Sequence, residues 1–168
     1  MSTTAPATIA PITLADVPGF HACLDAVARE QRYLAQLQAP PLERIEHFVR
    51  EGLAADAVQF VACHDGQVIG WADIFPDWAA AVAHRGHVGM GLLPAWRGQR
   101  IGQRLLQACL DKARLRGLTR IELESRIDNH RAIALYERLG FRREALKVRA
   151  MRFGDRYFDT VQMSLLFD

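Results

Sequence analysis

The sequence predicts an α/β (α+β) domain, in which a single mixed and mostly antiparallel sheet of about seven strands is flanked by about four helices. Strand-like runs and helix-periodic segments follow one another in the order β, α, α, β, β, β, α, β, α, β, β. Asp65-Gly66 and Gly154-Asp155 mark two tight hairpin turns. Helical crossovers flank only the fifth strand, so one layer of strands is expected over a single domain, residues 1–168.

The first third of the chain predicts one strand and two helices. Met1–Ala7 is small, polar and proline-containing, which is typical of a disordered end. Ile9–Thr13 is predicted as a short strand. Thr13 to Asp16 resembles a capping box that begins a helix running to about Leu37. A proline pair then breaks the chain, and Leu42–Leu53 predicts a second helix with one apolar face.

Three strands are predicted in the middle of the chain. Val58–His64 and Gln67–Phe75 form an antiparallel hairpin, because a tight turn joins them. His84–Leu93 is the third strand. Two glycines within it, Gly89 and Gly91, indicate a bulge or the close approach of another chain or a ligand.

The last third of the chain predicts two helices and three strands. A helix with an apolar stripe from Ile101 to Ala113 ends at Gly117, the residue type most common after a helix. The remaining elements are a strand at Arg120–Ile127, a helix from Asp128 or Asn129 to Leu139, and strands at Phe141–Ala150 and Tyr157–Phe167.

Composition limits the class of partner. The chain is 50% hydrophobic and 24% charged, with a formal charge of +2 and a pI near 8.6. This balance is too mild to favour nucleic acid or a membrane as the main partner. Positive charge is concentrated from Arg97 to Arg120, where only Asp111 opposes it, so a local anionic ligand is favoured.

Other features indicate a cytoplasmic protein. The three cysteines, Cys23, Cys63 and Cys109, are widely spaced in apolar segments, which is typical of reduced core thiols. The N-terminal segment lacks the charge and apolar pattern of a signal peptide, and no run is long enough to span a bilayer. We therefore expect a cytoplasmic location and no membrane partner, and a homodimer is left open.

One stretch, Val88–Leu106, predicts an anion-binding loop between a strand and a helix. The first turn of a helix has backbone N–H groups without helical partners and a partial positive charge, so phosphate binds well there. Gly98 and Gly102 let an anion approach the backbone, and Arg97, Arg100 and Arg104 add full positive charges.

Two common phosphate loops do not match this stretch. A P-loop requires Gly-Lys followed by Ser or Thr, which occurs nowhere in the chain. The Rossmann pattern begins at Gly89-Met90-Gly91, but Pro94 occupies the place of its third glycine. An R-x-x-x-x-G loop, from Arg97 to Gly102, therefore remains.

That loop resembles the acetyl-CoA-binding motif Q/R-x-x-G-x-G/A of the GCN5-related N-acetyltransferase (GNAT) superfamily. A second stretch, Asn129–Arg142, matches N-x-x-A-x-x-L-Y-x-x-x-G-F, which resembles another motif of the same superfamily in the same order. By helical periodicity alone, Tyr136 in this stretch is an amphipathic core aromatic. The two motifs together extend the resemblance over nearly the whole chain and imply a sheet whose central strands splay apart.

The resemblance implies acetyl-CoA as the cosubstrate and assigns residues to it. Backbone groups of Leu92 and Leu93 are expected to pair with the pantetheine amides, and Asn129 to contact the pantetheine arm. Tyr136 is expected to touch the cosubstrate near the thioester sulfur and to act as the general acid. The residues expected to hold the pyrophosphate through loop N–H groups are Arg97, Gly98, Gln99, Arg100, Ile101, Gly102 and Gln103.

Arg100 departs from the family pattern, which has glycine at this place. We expect the backbone there to be helical enough to accept a side chain, with Arg100 pointing outward towards the CoA phosphates.

The acceptor side is less constrained by the sequence. The candidates for binding the acceptor amine are Glu30, Tyr33, Asp73 and Glu124. The attacking amine must be neutral, so a general base is required, and Glu30, Asp73, His87 and Glu124 are the choices. Backbone N–H groups near Met90-Gly91 are expected to stabilise the oxyanion. No metal is expected, because His84 and His87 lie three apart on a strand and point to opposite faces.

The leading hypothesis is an N-acetyltransferase that moves an acetyl group from acetyl-CoA to the primary amine of a small molecule or amino acid in a ternary complex. Two alternatives remain within the same fold: an acetyltransferase of protein or peptide N-termini, and a non-catalytic acyl-CoA-binding regulatory module. A nucleic-acid-binding domain is a third class, which the arginines of the 97–120 segment support. The same arginines are also explained by an anionic ligand bound at the loop.

Overall fold

The computed structural model describes residues 6–168, which form seven strands and four α-helices. The strands are β1 (Thr8–Pro11), β2 (Val58–His64), β3 (Gln67–Pro76), β4 (Arg85–Leu92), β5 (Arg120–Arg126), β6 (Arg142–Phe153) and β7 (Arg156–Leu166). The helices are α1 (Val17–Arg29), α2 (Leu42–Ala54), α3 (Ile101–Leu115) and α4 (His130–Arg138). No helix within these residues is long and apolar enough to cross a membrane.

All seven strands belong to one sheet, in the order β1-β2-β3-β4-β5-β7-β6. Every neighbouring pair is antiparallel except β4 and β5, which are parallel and connected through α3. A parallel pair requires such a crossover, whereas the hairpins need only short turns. The predicted fold class is therefore confirmed, in both the number of strands and their mixed pairing.

Helices cover both faces of the sheet, and each face has its own core. The core beneath α3 and α4 is centred on fully buried Leu105, Leu106, Ile121 and Met163. The core beneath α1 and α2 contains Phe20, Val49 and Trp71. Because side chains alternate along a strand, Trp71 faces α1 while Ala72 faces α3.

The first helix ends earlier than the sequence predicts. The prediction of a helix to about Leu37 is wrong, because α1 ends at Arg29 and Gln31 adopts a left-handed φ of 48°. Residues 30–41 form a turn, bends and irregular chain instead. Long polar side chains in this region have high helix propensity, but the contacts described below hold the backbone in another conformation.

The N-terminus also differs from expectation. The predicted disordered end covers residues 1–7, of which residues 1–5 lie outside the described residues. Ala7 is buried in the core beneath α3, and its carbonyl oxygen accepts a hydrogen bond of 2.9 Å from Arg104. Residue 7 is therefore ordered, because it continues the packing of β1.

Gly89 and Gly91 do not mark a bulge, since β3 and β4 pair in continuous register past both of them. They make room for side chains of β3 instead. A Cβ at Gly91 would lie 2.2 Å from the Trp71 ring, and one at Gly89 would lie 2.7 Å from an Asp73 carboxylate oxygen. The close approach predicted from the sequence is therefore that of the neighbouring strand.

We predict that Gly91→Ala destabilises the fold. The new methyl group would clash with the Trp71 ring, which is buried and cannot move away freely. Overpacking of this kind costs about 2 kcal/mol of unfolding free energy, measurable by urea denaturation. Gly102→Ala is the matched control, because its Cβ would make ordinary contacts of 3.5 Å and 3.6 Å. An equal loss in both variants would contradict this explanation.

Candidate active site

The site is organised around a gap between β4 and β5. These strands pair at only three positions, Arg85 with Arg120, Gly86 with Ile121 and His87 with Glu122. Beyond His87, β4 continues to pair with β3 but no longer with β5. The space between the two strands beyond this point is called the strand gap here, and its presence agrees with the splayed central strands expected from the sequence.

Backbone groups of β4 face this gap. In an antiparallel pair, successive residues direct their N–H and C=O groups alternately to one side and the other. Leu93 donates to Ile69 on the β3 side (2.9 Å), so Met90 and Leu92 direct theirs into the strand gap. Of the two leucines predicted to bind pantetheine, only Leu92 therefore turns its backbone amide to the gap.

The loop predicted to bind phosphate lies at the end of the strand gap. The first α-helical hydrogen bond runs from the Arg104 N–H to the Arg100 carbonyl (3.1 Å), so the N–H groups of Ile101, Gly102 and Gln103 have no helical partner. Gly98 adopts a left-handed φ of 78°, which reverses the chain before the helix. Three unpaired donors and the helix dipole make this loop suited to an anion.

Two of the three loop arginines make protein contacts. Arg97 donates through Nε to the Leu92 carbonyl (2.9 Å) and through its two terminal nitrogens to the Glu30 carboxylate (3.0 Å and 2.6 Å). Arg104 donates to the Ala7 carbonyl. Arg100 is exposed. A further arginine, Arg131 in α4, lies beside Gly98, with Nη1 3.8 Å from the place of a Gly98 Cβ.

The sequence did not identify Arg131 as a charged residue beside the loop. Its only signal is its place two residues after Asn129, at the start of α4. Because α4 begins next to the α3 loop, Arg131 places a positive charge beside Gly98, whereas the Arg97 guanidinium is paired with Glu30.

The expectation of a helical backbone at Arg100 is wrong, whereas the outward direction of its side chain stays a prediction. Arg100 is not helical but occupies the N-cap of α3 with φ 62° and ψ 9°, which is left-handed. Such a conformation costs an L-residue about 1–2 kcal/mol, which glycine avoids. This explains why the family pattern has glycine at this place, and it means that Arg100 holds a strained backbone.

Tyr136 lies in the core beneath α3 and α4, next to the Phe141 ring at a centroid distance of 6.0 Å. Burial raises the pKa of its phenol to about 12. Asn129 positions this helix, because its side-chain oxygen accepts a hydrogen bond from the Ala132 N–H (3.4 Å) at the N-cap. The side-chain oxygen of Asn129 is therefore bonded to the backbone of α4. The Tyr136 phenol stays protonated at neutral pH.

The opposite face of the sheet carries two carboxylates beside the strand gap. Asp73 is paired with Gly89 in register, and His87 is paired with Glu122, so Glu124 lies level with Gly89 across the gap. Both carboxylates are on the α1 and α2 face, because Trp71, two residues before Asp73, and Leu123 point to opposite cores. The Asp73 carboxylate occupies the space over Gly89, where a Cβ would come within 2.7 Å of it.

The two carboxylates differ in acidity. Desolvation raises the pKa of Asp73 to about 7, although a backbone hydrogen bond from Gly89 lowers it in part. Desolvation also raises the pKa of Glu124, but hydrogen bonds from Lys147 (2.6 Å) and Thr160 (2.5 Å) outweigh it and leave the pKa lowered. Asp73 is thus poised to exchange a proton near neutral pH, whereas Glu124 stays charged.

The remaining base candidates are engaged in ion pairs. Glu30 is bound by Arg97 in a two-point contact, and His87 Nε2 lies 3.1 Å from Asp77 Oδ2. Tyr33 is half-buried, with the Arg126 guanidinium 5.2 Å from its ring centre. Of the four residues predicted for the acceptor, Asp73 and Glu124 therefore lie beside the gap, and Glu30 and Tyr33 lie on the segment after α1.

Neither metal nor cysteine chemistry is built into the described residues. Within residues 6–168, no group of three or more His, Cys, Asp or Glu side chains is arranged to hold a metal ion. Cys23, Cys63 and Cys109 are free thiols. Burial raises the pKa of the Cys23 thiol to about 12 and also raises that of Cys109. Both thiols therefore remain protonated and are poor nucleophiles.

We predict that Arg100→Gly stabilises the protein. Glycine adopts the φ of 62° without steric cost, so the unfolding free energy should rise by about 1 kcal/mol. Arg100→Ala is the control, because it removes the guanidinium but keeps the Cβ that causes the strain. Urea denaturation of the three proteins measures the effect, and a gain of equal size in the alanine variant would rule out the backbone explanation.

We also predict a pH-dependent stabilisation by Asp73→Asn. A folded-state pKa of about 7 against 3.8 means that ionisation of Asp73 disfavours the folded state, so wild-type stability decreases as the pH rises towards 7. The stability of the variant relative to wild type should increase by roughly 2 kcal/mol between pH 5 and pH 8.

Urea denaturation at both pH values measures this difference. Glu124→Gln is the control, because a lowered pKa places its titration below pH 5, and the difference from wild type should then stay constant. A constant difference for Asp73→Asn as well would show that Asp73 is ionised throughout.

Comparisons with known proteins identify a family and several relatives that are named as acetyltransferases. The sequence model of the Acetyltransferase (GNAT) family matches residues 23–141. Over 83 residues the chain is 39% identical to N-alpha-acetyltransferase 30 of Schizosaccharomyces pombe, covering 49% of this chain and 55% of that protein. It is 33% identical over 125 residues to the IAA acetyltransferase of Azospirillum brasilense, covering 71% of this chain and 76% of that protein.

Solved structures share the fold at lower identity. The structure of yncA from Salmonella typhimurium, solved with its cofactor acetyl-CoA, superposes with a TM-score of 0.90 at 20% identity, covering 98% of this chain and 95% of that one. The chain spans only about half the length of the first curated relative, N-alpha-acetyltransferase 30. The family match covers most of the chain, and both motifs predicted from the sequence lie in it or at its edge. The chain belongs to the Acetyltransferase (GNAT) family.

Proposed function

We propose that this protein is an N-acetyltransferase that moves an acetyl group from acetyl-CoA to the primary amine of a small molecule or amino acid, by direct attack in a ternary complex. One observation carries the proposal. The strand gap is followed by a loop with three N–H groups that lack helical partners, and two carboxylates lie on the face where α1 and α2 lie, while Tyr136 is buried in the core on the opposite face. A donor and an acceptor can therefore meet at the gap from opposite faces of one sheet.

The residues on the donor side suit acetyl-CoA. The N–H groups of Ile101, Gly102 and Gln103 would hold the pyrophosphate, and Arg100 and Arg131 add positive charge near the loop. Met90 offers a backbone donor and acceptor, and Leu92 a donor, to an extended chain of amides within the gap, while the Leu92 carbonyl already accepts from Arg97. Acetyl-CoA supplies the acetyl thioester, whose carbonyl carbon is the electrophile.

The acceptor side suits a cationic amine. Two carboxylates flank Gly89, and because Glu124 is paired with Lys147 at 2.6 Å, Asp73 is the one available to an ammonium group there. Asp73 is the base in this proposal, because its pKa of about 7 lets it remove a proton from the ammonium group and leave a neutral nucleophile. The N–H of Met90, which faces the gap, is placed to donate to the oxyanion that forms on attack.

Tyr136 is the general acid. A phenol with a pKa of about 12 is fully protonated at neutral pH, so it can donate its proton as the thiolate leaves. The same burial that raises the phenol pKa also disfavours a free thiolate nearby, which brings the two groups closer in proton affinity. The protein then needs no covalent intermediate, in agreement with its protonated cysteines.

The names of the relatives support amine acetylation but differ in acceptor. N-alpha-acetyltransferase 30 is named for protein N-termini, which makes such termini the second candidate acceptor. The second relative is named IAA acetyltransferase, without an N-alpha acceptor in its name, and its match covers more of both chains. A non-catalytic acyl-CoA-binding module would need the loop of α3 but not Asp73 or Tyr136.

A substrate panel tests the proposal. Wild-type protein is incubated with acetyl-CoA and, in turn, the free amino acids, simple primary amines and short peptides, while release of CoA thiol is followed. Acetylation of small amines supports the proposal, and acetylation of peptides alone favours the N-terminal alternative. Folded protein that binds CoA but releases no thiol with any acceptor would contradict catalysis. Tight, steeply salt-dependent binding of DNA would favour the nucleic-acid class.

We predict that Tyr136→Phe lowers turnover about 100-fold while leaving CoA affinity within about twofold. Phenylalanine keeps the ring that packs on Phe141 and removes only the acidic hydroxyl. Steady-state kinetics with the best acceptor and titration calorimetry with CoA measure the two effects. A parallel loss of turnover and CoA affinity would assign Tyr136 to cosubstrate binding instead.

A further inference from the structure

The chain segment directly after α1, residues Glu30–Tyr33, lies on the acceptor face and is fixed at two places. It is called the acceptor strap here. Its first anchor is at the end of β4, where the Glu30 carboxylate receives two hydrogen bonds from Arg97 (3.0 Å and 2.6 Å). Arg97 in turn donates to the Leu92 carbonyl at 2.9 Å. The two-point geometry of a guanidinium and a carboxylate fixes orientation as well as distance.

The second anchor is at the end of β5. Arg126, the last residue of that strand, donates through Nη1 to the carbonyl oxygen of Arg32 at 2.6 Å. Its guanidinium carbon also lies 5.2 Å from the centre of the Tyr33 ring, within the range of a cation–π contact. One side chain of β5 thus holds both the backbone and an aromatic ring of the acceptor strap.

Arg126 is itself rigidly held. It is 7% exposed, and it makes a two-point contact with Asp128 at 2.9 Å and 2.5 Å. Its guanidinium lies 3.6 Å from the centre of the Phe158 ring and 6.0 Å from that of Phe153, both on the β6–β7 hairpin. A buried arginine with a paired charge and aromatic neighbours has little conformational freedom, so it provides a fixed support.

The two anchors lie on opposite sides of the strand gap. Arg97 follows β4 and Arg126 ends β5, and these are the strands that diverge after His87 and Glu122. Residues Glu30–Tyr33 therefore cross the wide end of the gap on the acceptor face. The left-handed turn at Gln31 (φ 48°) lies between the two anchors.

We propose that Arg126 is a positioning residue that holds the acceptor strap across the gap and thereby restricts the acceptor to small amines. This inference rests on the proposed acetyltransferase function. A polypeptide N-terminus must continue outward from its amino group as an extended chain, and the acceptor strap occupies the space into which that chain would run. A free amino acid or a simple amine ends within the space below it.

Two variants test the role of Arg126. Arg126→Lys keeps the positive charge but removes the planar fork that contacts Asp128 and Arg32 together. Tyr33→Ala removes the ring of the strap that contacts Arg126 and leaves the buried arginine itself in place. Arg152→Ala is the control, because Arg152 is an exposed arginine of the same hairpin that contacts Tyr157 and the Gly154 carbonyl rather than the strap.

The first measurement is hydrogen exchange of the backbone amides of residues 30–39, which does not depend on catalysis. We expect both variants to exchange there about tenfold faster than wild type, and the Arg152→Ala control to exchange at the wild-type rate. Unchanged exchange in both variants would show that Arg126 does not hold the strap and would overturn the proposal.

The second measurement is the ratio of kcat/KM for the tetrapeptide Ala-Ala-Ala-Ala to that for free alanine. We expect this ratio to rise about tenfold in both variants, with the Kd for CoA unchanged, because a loosened strap admits a longer acceptor. Faster exchange without a change in the ratio would mean that the strap does not select acceptor size. If wild type acetylates neither compound nor any other amine, the proposed function fails and the size role with it, while the exchange measurement still decides whether Arg126 holds the strap.

Discussion

The structure depends on the early end of pairing between β4 and β5. A central pair of strands that parts after three residues leaves backbone amides of β4 without partners inside a sheet, which is unfavourable unless a ligand or water satisfies them. The sheet tolerates this because β4 keeps its full pairing with β3, and because the core beneath α3 joins residues of β3 on one side of the gap to Ile121 and Leu123 of β5 on the other. The edge of β4 beyond His87 is thus supported by β3 on one side and accessible from the strand gap on the other.

Charge is distributed around the gap in accordance with its two faces. On the donor side, helix N–H groups, Arg100 and Arg131 face outward from α3 and α4. On the acceptor side the carboxylates of Asp73 and Glu124 lie level with one another across Gly89. The positive charges of the loop and the carboxylates therefore lie on different faces of the sheet, and the Glu124 carboxylate is paired with Lys147.

The sequence predicts most of the fold, since hairpin turns, hydrophobic periodicity and helix ends are local signals. Six of the seven strands and the three later helices lie within a few residues of prediction, and β6 extends three residues further than Ala150. The end of α1 differs from prediction, because Glu30 and Arg32 are good helix formers, but Arg97 binds the Glu30 carboxylate and Arg126 binds the Arg32 carbonyl from 67 and 94 residues away along the chain. The acceptor strap could not be predicted for the same reason, because no local sequence pattern indicates it. The sequence motif located the loop at Arg97 but not the direction of the Arg97 side chain, which is set by its contact with Glu30.

The ion pair between Arg97 and Glu30 joins a residue of the donor loop to a residue of the acceptor wall. A donor that displaces the Arg97 guanidinium also changes the free energy of the strap, and thermodynamic linkage requires the acceptor to change donor affinity by the same factor. Such a coupling would act through one part-buried contact. It would not require a large movement of the domain, because the contact joins the two segments directly.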